Sequence, residues 1–166
     1  NDIIALSSKV VAYTEGAAID LRTLNVTPEA IEWSEKLVLS KKNPAFRQAV
    51  LNETKRMNGV VLQSCPMLMF CELQPKGLEQ GVVLAVNAGL DLSNIDEHYA
   101  IGWPIDPLAS AKQIQTELQI ATGKTLGVII TDSCCHPDGT RNFPHHRKPT
   151  TKFPVTKGMF WRSAIS

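Results

Sequence analysis

Two stretches concentrate the groups that could do chemistry. In VIITDSCCHPDG, residues 128–139, an apolar run ends in an aspartate, a serine, two cysteines and a histidine. In NAGLD, residues 87–91, a second aspartate follows a glycine just after the apolar run GVVLAV. Asp91 and Asp132 therefore both stand where a strand-like run gives way to a loop. Carboxylates at strand ends are well placed to converge on a hard cation, because the strands fix the backbone while the loop leaves coordination positions open. Ser133 could add a hydroxyl ligand, and Gly89 permits a tight approach. The competing reading is that an aspartate after a strand is an ordinary turn former.

Cys134, Cys135, His136, His145 and His146 offer a softer alternative, a zinc-binding interaction module. Their spacing lacks the two-residue gap that lets paired cysteines hold one ion, and adjacent side chains of an extended segment point apart. A nucleophilic cysteine has no identifiable Asn or Asp to orient its base. Lys9, in SSKVVAYTEG, could hold a phosphate as a point charge or could be an ordinary solvated side chain. No Walker-type glycine loop occurs in the chain. Met67, Met69 and Trp33 read as packing residues, and Trp103, before Pro104, is expected to be partly exposed.

The elements that must position these groups follow from periodicity and punctuation. Ile3–Leu6 and Val10–Tyr13 read as two short strands closed by Glu15-Gly16. Thr27-Pro28 opens a helix, with threonine as cap and proline where its missing N–H is harmless. Ile31, Ser34, Leu37 and Val38 form its apolar face. Asn43-Pro44 repeats the device ahead of Phe46, Ala49, Val50 and Met57, and Gly59 stops that helix. VVLQS, MLMFCEL and GVVLAV read as strands, antiparallel because their connections are short. Residues 87–99 form a polar loop. Asp106-Pro107 opens a third helix with Ala111, Ile114, Leu118 and Ala121 inward and Gly123 at its end, before a strand over 126–131. The expected fold is α+β: a mixed, mainly antiparallel sheet with flanking helices over residues 1–135, then an irregular basic tail over 136–166.

Composition sets the outer bounds. At 166 residues, with 43% hydrophobic and 20% charged residues, the chain has the make-up of a soluble globular domain. Its apolar runs fall short of the roughly 18–20 residues of a membrane span, and no secretory signal is visible. Four cysteines are too few to staple such a chain, which points to a reducing cytoplasm. The net charge of +1 hides an asymmetry: residues 1–135 hold eleven Lys/Arg against fifteen Asp/Glu, and residues 136–166 hold six against one. A solvated tail explains that block more simply than nucleic-acid binding does. The opening Asn1-Asp2, running straight into Ile3 without an initiator Met, suggests a fragment incomplete at both ends.

Taken in order, DIIALSSKVVAYTEG, NPAFRQAVLNET, VNAGLDLSNI, WPIDPLASAKQI and GVIITDS resemble the coenzyme F420:γ-glutamyl ligase family over residues 2–133. The resemblance implies an F420 ligase-like fold and a cytoplasmic, intertwined homodimer. It implies a GTP-dependent ligase that joins L-glutamate to a carboxylate acceptor through an acyl phosphate, with Mg2+ or Mn2+ holding the phosphates. Asp91, Asp132 and Ser133 match the family's metal positions, Ser133 standing where threonine is usual. Ser8, Lys9 and Asn94 match nucleotide contacts. The family's Ser-Lys-Ala-Glu-Gly is here Ala12-Tyr13-Thr14-Glu15-Gly16, so Tyr13 stands at a nucleotide position in place of a cation. The family's N-terminal nucleotide loop and its later nucleotide- and metal-binding region are not recognisable. No ligase turnover is therefore expected from residues 1–166 alone. The alternative is a relative that binds metal and nucleotide phosphate without ligating.

Overall fold

The computed structural model describes residues 2–37, 42–64, 68–77, 82–93, 95–132 and 161–162. Strand β1 (Ile3–Ser7) lies parallel to β7 (Gly127–Thr131), with Ile3 opposite Gly127 and Ser7 opposite Thr131. Between them in sequence, β2 (Ile19–Asp20) pairs with β6 (Tyr99–Ala100), and β3 (Val60–Ser64), β4 (Met69–Leu73) and β5 (Val83–Val86) form an antiparallel meander. The helices are α1 (Ser8–Thr14), α2 (Pro28–Lys36), α3 (Pro44–Arg56) and α4 (Pro107–Thr122). Helices and mainly antiparallel strands together make the expected α+β, F420 ligase-like fold.

The second expected strand is instead a helix. Val10 and Val11 are β-branched and suggested extension, but Ser8, Val11 and Ala12 bury one helical face. That helix ends in a Schellman motif: Ala17 N–H reaches Ala12 O at 2.9 Å and Gly16 N–H reaches Tyr13 O at 3.0 Å, with Gly16 at φ +69°. Glu15-Gly16 is thus a helix stop. Lys9, expected between two strands, sits in the first turn of α1.

The other caps form as the sequence implies. Thr27, Asn43 and Asp106 each accept a main-chain N–H from the residue three positions on, and a proline follows each. In α3 the expected face is buried: Phe46, Ala49, Val50 and the capping Met57 are all inaccessible. In α2 the buried line runs through Ala30, Ser34 and Leu37, so Ile31 faces solvent; Val38 lies outside the described residues. In α4 Ala111 is buried and Ile114 and Leu118 pack on the core, but Ala121 is exposed. Gln115 takes an inward place, donating to Leu126 O at 2.7 Å. Its amide satisfies a main-chain carbonyl at the entry to β7, which an apolar residue could not do.

One core joins these layers, with Leu37, Val50, Met57, Met69, Leu73, Val128 and Ile130 near its centre. Gly59 is required by close approach: a Cβ there would lie 2.2 Å from Glu72 O. In the expected irregular tail, β8 (Trp161–Arg162) pairs antiparallel with Ile130 and Ile129 of β7, an element that aperiodic sequence did not announce. Residues 133–160 and 163–166 lie outside the described residues. No helix among the described residues is long and apolar enough to cross a membrane.

Candidate functional site

The parallel register of β1 and β7 decides which groups meet. Ser7 is opposite Thr131, so the next residues, Ser8 and Asp132, leave the two strand ends side by side. Ser8 Oγ donates to Asp132 Oδ2 at 2.7 Å, across 124 positions of sequence. Lys9, one residue further into α1, places Nζ 3.1 Å from the same oxygen and 3.2 Å from Gly89 O. Carboxyl ends of adjacent parallel strands are where α/β sheets commonly gather ligands, because both chains turn away there and leave a crevice.

The third contributor is the loop after β5. Asn87, Ala88 and Gly89 all adopt left-handed backbone, with φ of +49°, +53° and +77°. Two successive non-glycine residues in that region are uncommon and need support. The support is Asn87 Oδ1, which accepts from Met69 N–H at 3.1 Å and from Arg47 Nη1 at 3.2 Å. Ala88 is fully buried beneath the turn. Asp91 then pairs with Ile101 through two main-chain hydrogen bonds of 2.9 and 3.0 Å. That pairing fixes the segment reaching Trp103, whose Nε1 donates to Asp132 Oδ2. Trp103 is 3% exposed, against the expectation of partial exposure. A buried indole N–H seeks an acceptor, and Asp132 supplies it. Sequence reasoning missed this donor; WP alone carries no sign of which carboxylate it would meet.

Asp91 stands in a different electrostatic setting. Burial pushes its pKa up, yet the Ser93 hydroxyl and amide, at 2.5 and 2.9 Å, and the Lys9 charge together hold it below the ordinary carboxylate value. Lys9 thus links the two carboxylates: it pairs with Asp132 and lies within electrostatic reach of Asp91. Among the described residues no group of three or more His, Cys, Asp or Glu side chains is gathered for a metal. The oxygen donors close to the Lys9 ammonium are a carboxylate and a carbonyl, hard groups that suit Mg2+, Mn2+ or Ca2+. A cation already seated on those oxygens shows that the place accepts positive charge.

Tyr13 follows Lys9 by one helical turn and is largely exposed. It lines an open cleft of about 580 Å³ with Ala18, Ile95, Asp96 and Tyr99. The Arg22 guanidinium lies 5.6 Å from the Tyr99 ring and is fixed by Asp20. Asn94 and Ser133, and the cysteines and histidines from Cys134 to His146, lie outside the described residues. Ser8, Lys9 and Asp132 are therefore in contact, Asp91 lies within reach of the Lys9 charge, and Tyr13 lines the neighbouring cleft.

The sequence signature of F420-0:gamma-glutamyl ligases matches residues 1–141. The chain belongs to this family. It is 34% identical over 136 residues to a coenzyme F420:L-glutamate ligase of Methanothermobacter thermautotrophicus, covering 82% of this chain and 49% of that protein. It is 33% identical over 132 residues to the ligase of Methanosarcina mazei, covering 80% and 46%. Against the Methanocaldococcus jannaschii ligase it is 32% identical over 141 residues, covering 82% and 49%. The chain spans about half the length of the curated relatives it matches. Within this F420 ligase family member, the Ser8–Lys9–Asp132 contact and the turn at Gly89 both lie inside the matched region.

Proposed function

We propose that this chain carries the metal- and phosphate-holding part of a glutamate ligase that acts on a carboxylate acceptor of the coenzyme F420-0 type. The carrying observation is the Asp132 carboxylate: it faces Lys9 and Ser8 at the joined ends of two parallel strands, in a chain of this family. In the reaction, an acceptor carboxylate oxygen attacks the γ-phosphorus of GTP. An acyl phosphate forms and GDP leaves. The L-glutamate amine then attacks the acyl carbon, expels inorganic phosphate, loses a proton and becomes the amide nitrogen.

Phosphoryl transfer asks the protein chiefly for positioning and charge neutralisation. Asp132 and Asp91 are the residues that would hold Mg2+ or Mn2+, which when bound neutralises charge on the phosphates. Lys9 contributes a mobile point charge for a phosphate oxygen. Trp103 and Ser8 fix the orientation of Asp132 by donating to the same carboxylate oxygen. Tyr13 and its cleft flank the phosphate region and present a ring to the nucleotide in place of the family's lysine. Ser133 and Asn94 complete the proposed metal and nucleotide contacts, and the working form is a homodimer.

Calorimetric titration with manganese, with and without GTP, tests this reading on the wild type and Asp132→Asn. The amide retains shape and one acceptor oxygen but loses the charge. Binding is expected to weaken about tenfold or more, roughly 1.4 kcal/mol, with the circular dichroism spectrum unchanged. Equal binding by both proteins refutes the metal role of Asp132. A relative that binds without ligating is the second reading, favoured by Tyr13 at the lysine position. It predicts manganese and GTP binding with no glutamate-dependent release of phosphate. Zinc binding lost in Cys134→Ser and His136→Ala would instead support an interaction module.

A further inference from the structure

The Lys9 ammonium is placed with unusual care for a lysine in a short helix. It meets Asp132 Oδ2 at 3.1 Å and Gly89 O at 3.2 Å, and its side chain is only 27% exposed. Gly89 O comes to Lys9 from a backbone turn with three successive left-handed residues, anchored through Asn87 to β4 and α3. Such a turn is maintained against its own conformational preference, so its carbonyl direction is a built feature. Ser8 and Trp103 add two neutral donors to the same carboxylate oxygen. The seat therefore brings hard oxygen acceptors together around the Lys9 ammonium.

We propose that Lys9 is the resident cation of this seat, and that a divalent metal ion enters by displacing it, which releases Lys9 to meet a phosphate. The proposal rests on the metal reading above and adds an order of events to it. An ion held by Asp132 and Asp91 would crowd the space that the Lys9 ammonium now fills beside Asp132. Two cations sharing that space repel, so one occupant excludes the other. A phosphate offers Lys9 a second partner outside the seat. Metal and phosphate then assist each other, and by linkage the assistance is equal in both directions. Lys9 is a positioning residue here, holding Asp132 in place until the metal arrives.

Manganese titrated into the 166-residue chain, with free ion read by its electron paramagnetic resonance signal, tests the exchange. Lys9→Met is expected to bind manganese about tenfold more tightly than wild type without phosphate, since the Lys9 charge no longer has to be displaced. Lys9→Arg, which keeps the charge, is expected to stay near wild type. Inorganic triphosphate should tighten manganese binding to the wild type more than to Lys9→Met; equal tightening overturns the coupling. Equal or weaker manganese binding by Lys9→Met overturns the displacement and leaves the metal reading standing. Manganese binding by neither chain at millimolar concentration overturns both. A measurement on the wild type alone guards against a misfolded variant: acylation of Lys9, followed by peptide mass spectrometry, should accelerate when saturating magnesium is added. An unchanged or slower rate refutes the release of Lys9.

Discussion

Replacing Gly89 with alanine attacks the site through its geometry and leaves every charge in place. A Cβ at this position would lie 2.6 Å from Trp103 Cε2, 2.8 Å from Cζ2 and 2.9 Å from Nε1. The indole is rigid and buried, so it must move as a unit, and that movement pulls Nε1 from Asp132. The φ of +77° adds a backbone penalty of about 1–2 kcal/mol for any L side chain. Overpacking against a fixed ring adds about 1–3 kcal/mol, for a total of about 2–5 kcal/mol. Gly123 supplies the control. It too is left-handed, at φ +68°, but a Cβ there meets nothing within 4 Å, so Gly123→Ala should cost only the backbone part. With a urea m-value of about 2 kcal/mol/M, Gly89→Ala should lower the unfolding midpoint by about 1–2.5 M and Gly123→Ala by about 0.5–1 M. Manganese affinity should fall only in the first. Equal midpoints for the two variants would refute the argument that Trp103 is wedged against the Gly89 turn.

Three further outcomes are expected. Asp91 has its pKa held below the ordinary 3.8, so its contribution to stability is fully present above about pH 4 and is lost as pH falls through the folded-state value; Asp91→Asn should flatten the acid limb of a urea-midpoint profile, and superimposable profiles would contradict this. Cys71 is fully buried, and burial pushes its thiol pKa up, so iodoacetamide should modify it only as the chain unfolds, whereas rapid native labelling of its peptide would show the core to be open. Val60 and Leu62 are both about half exposed on β3, an edge of the antiparallel meander; Leu62→Lys should reduce self-association in light scattering, and an unchanged mass would place any subunit contact elsewhere.

Much of the local structure follows from neighbouring residues alone. Thr27-Pro28, Asn43-Pro44 and Asp106-Pro107 announce three helices because a cap and a donorless N1 residue act within one turn of chain. The three apolar runs between residues 60 and 86 announce a meander because their short connections permit only antiparallel neighbours. Family membership was legible too, since DIIALSSKVVAYTEG, NAGLDLSN and VIITDS keep their order along the chain. Local pattern failed where burial decides between two permitted conformations. Val10–Tyr13 has strand-forming residues, yet packing of Ser8, Val11 and Ala12 makes it helical. Ile31 and Ala121 carry apolar side chains outward because the core sits a fraction of a turn away from the face that periodicity suggested.

The contacts of the site belong to the tertiary structure. The sequence singled out Asp91 and Asp132 as carboxylates that could converge on one cation and Lys9 as a phosphate contact, each with an innocent alternative, and the family resemblance added Ser8. The contact of Ser8 and Lys9 with Asp132 depends on the parallel register of β1 and β7, a pairing across about 124 residues that no local signal encodes. The same holds for Trp103, whose indole reaches Asp132 from a segment that also pairs with Asp91 through Ile101. Residue type determined what each group can donate, accept or carry. Chain topology decided which of them stand within hydrogen-bonding distance of one another, because hydrogen bonds and ion pairs depend on distance in space and the sequence records only distance along the chain.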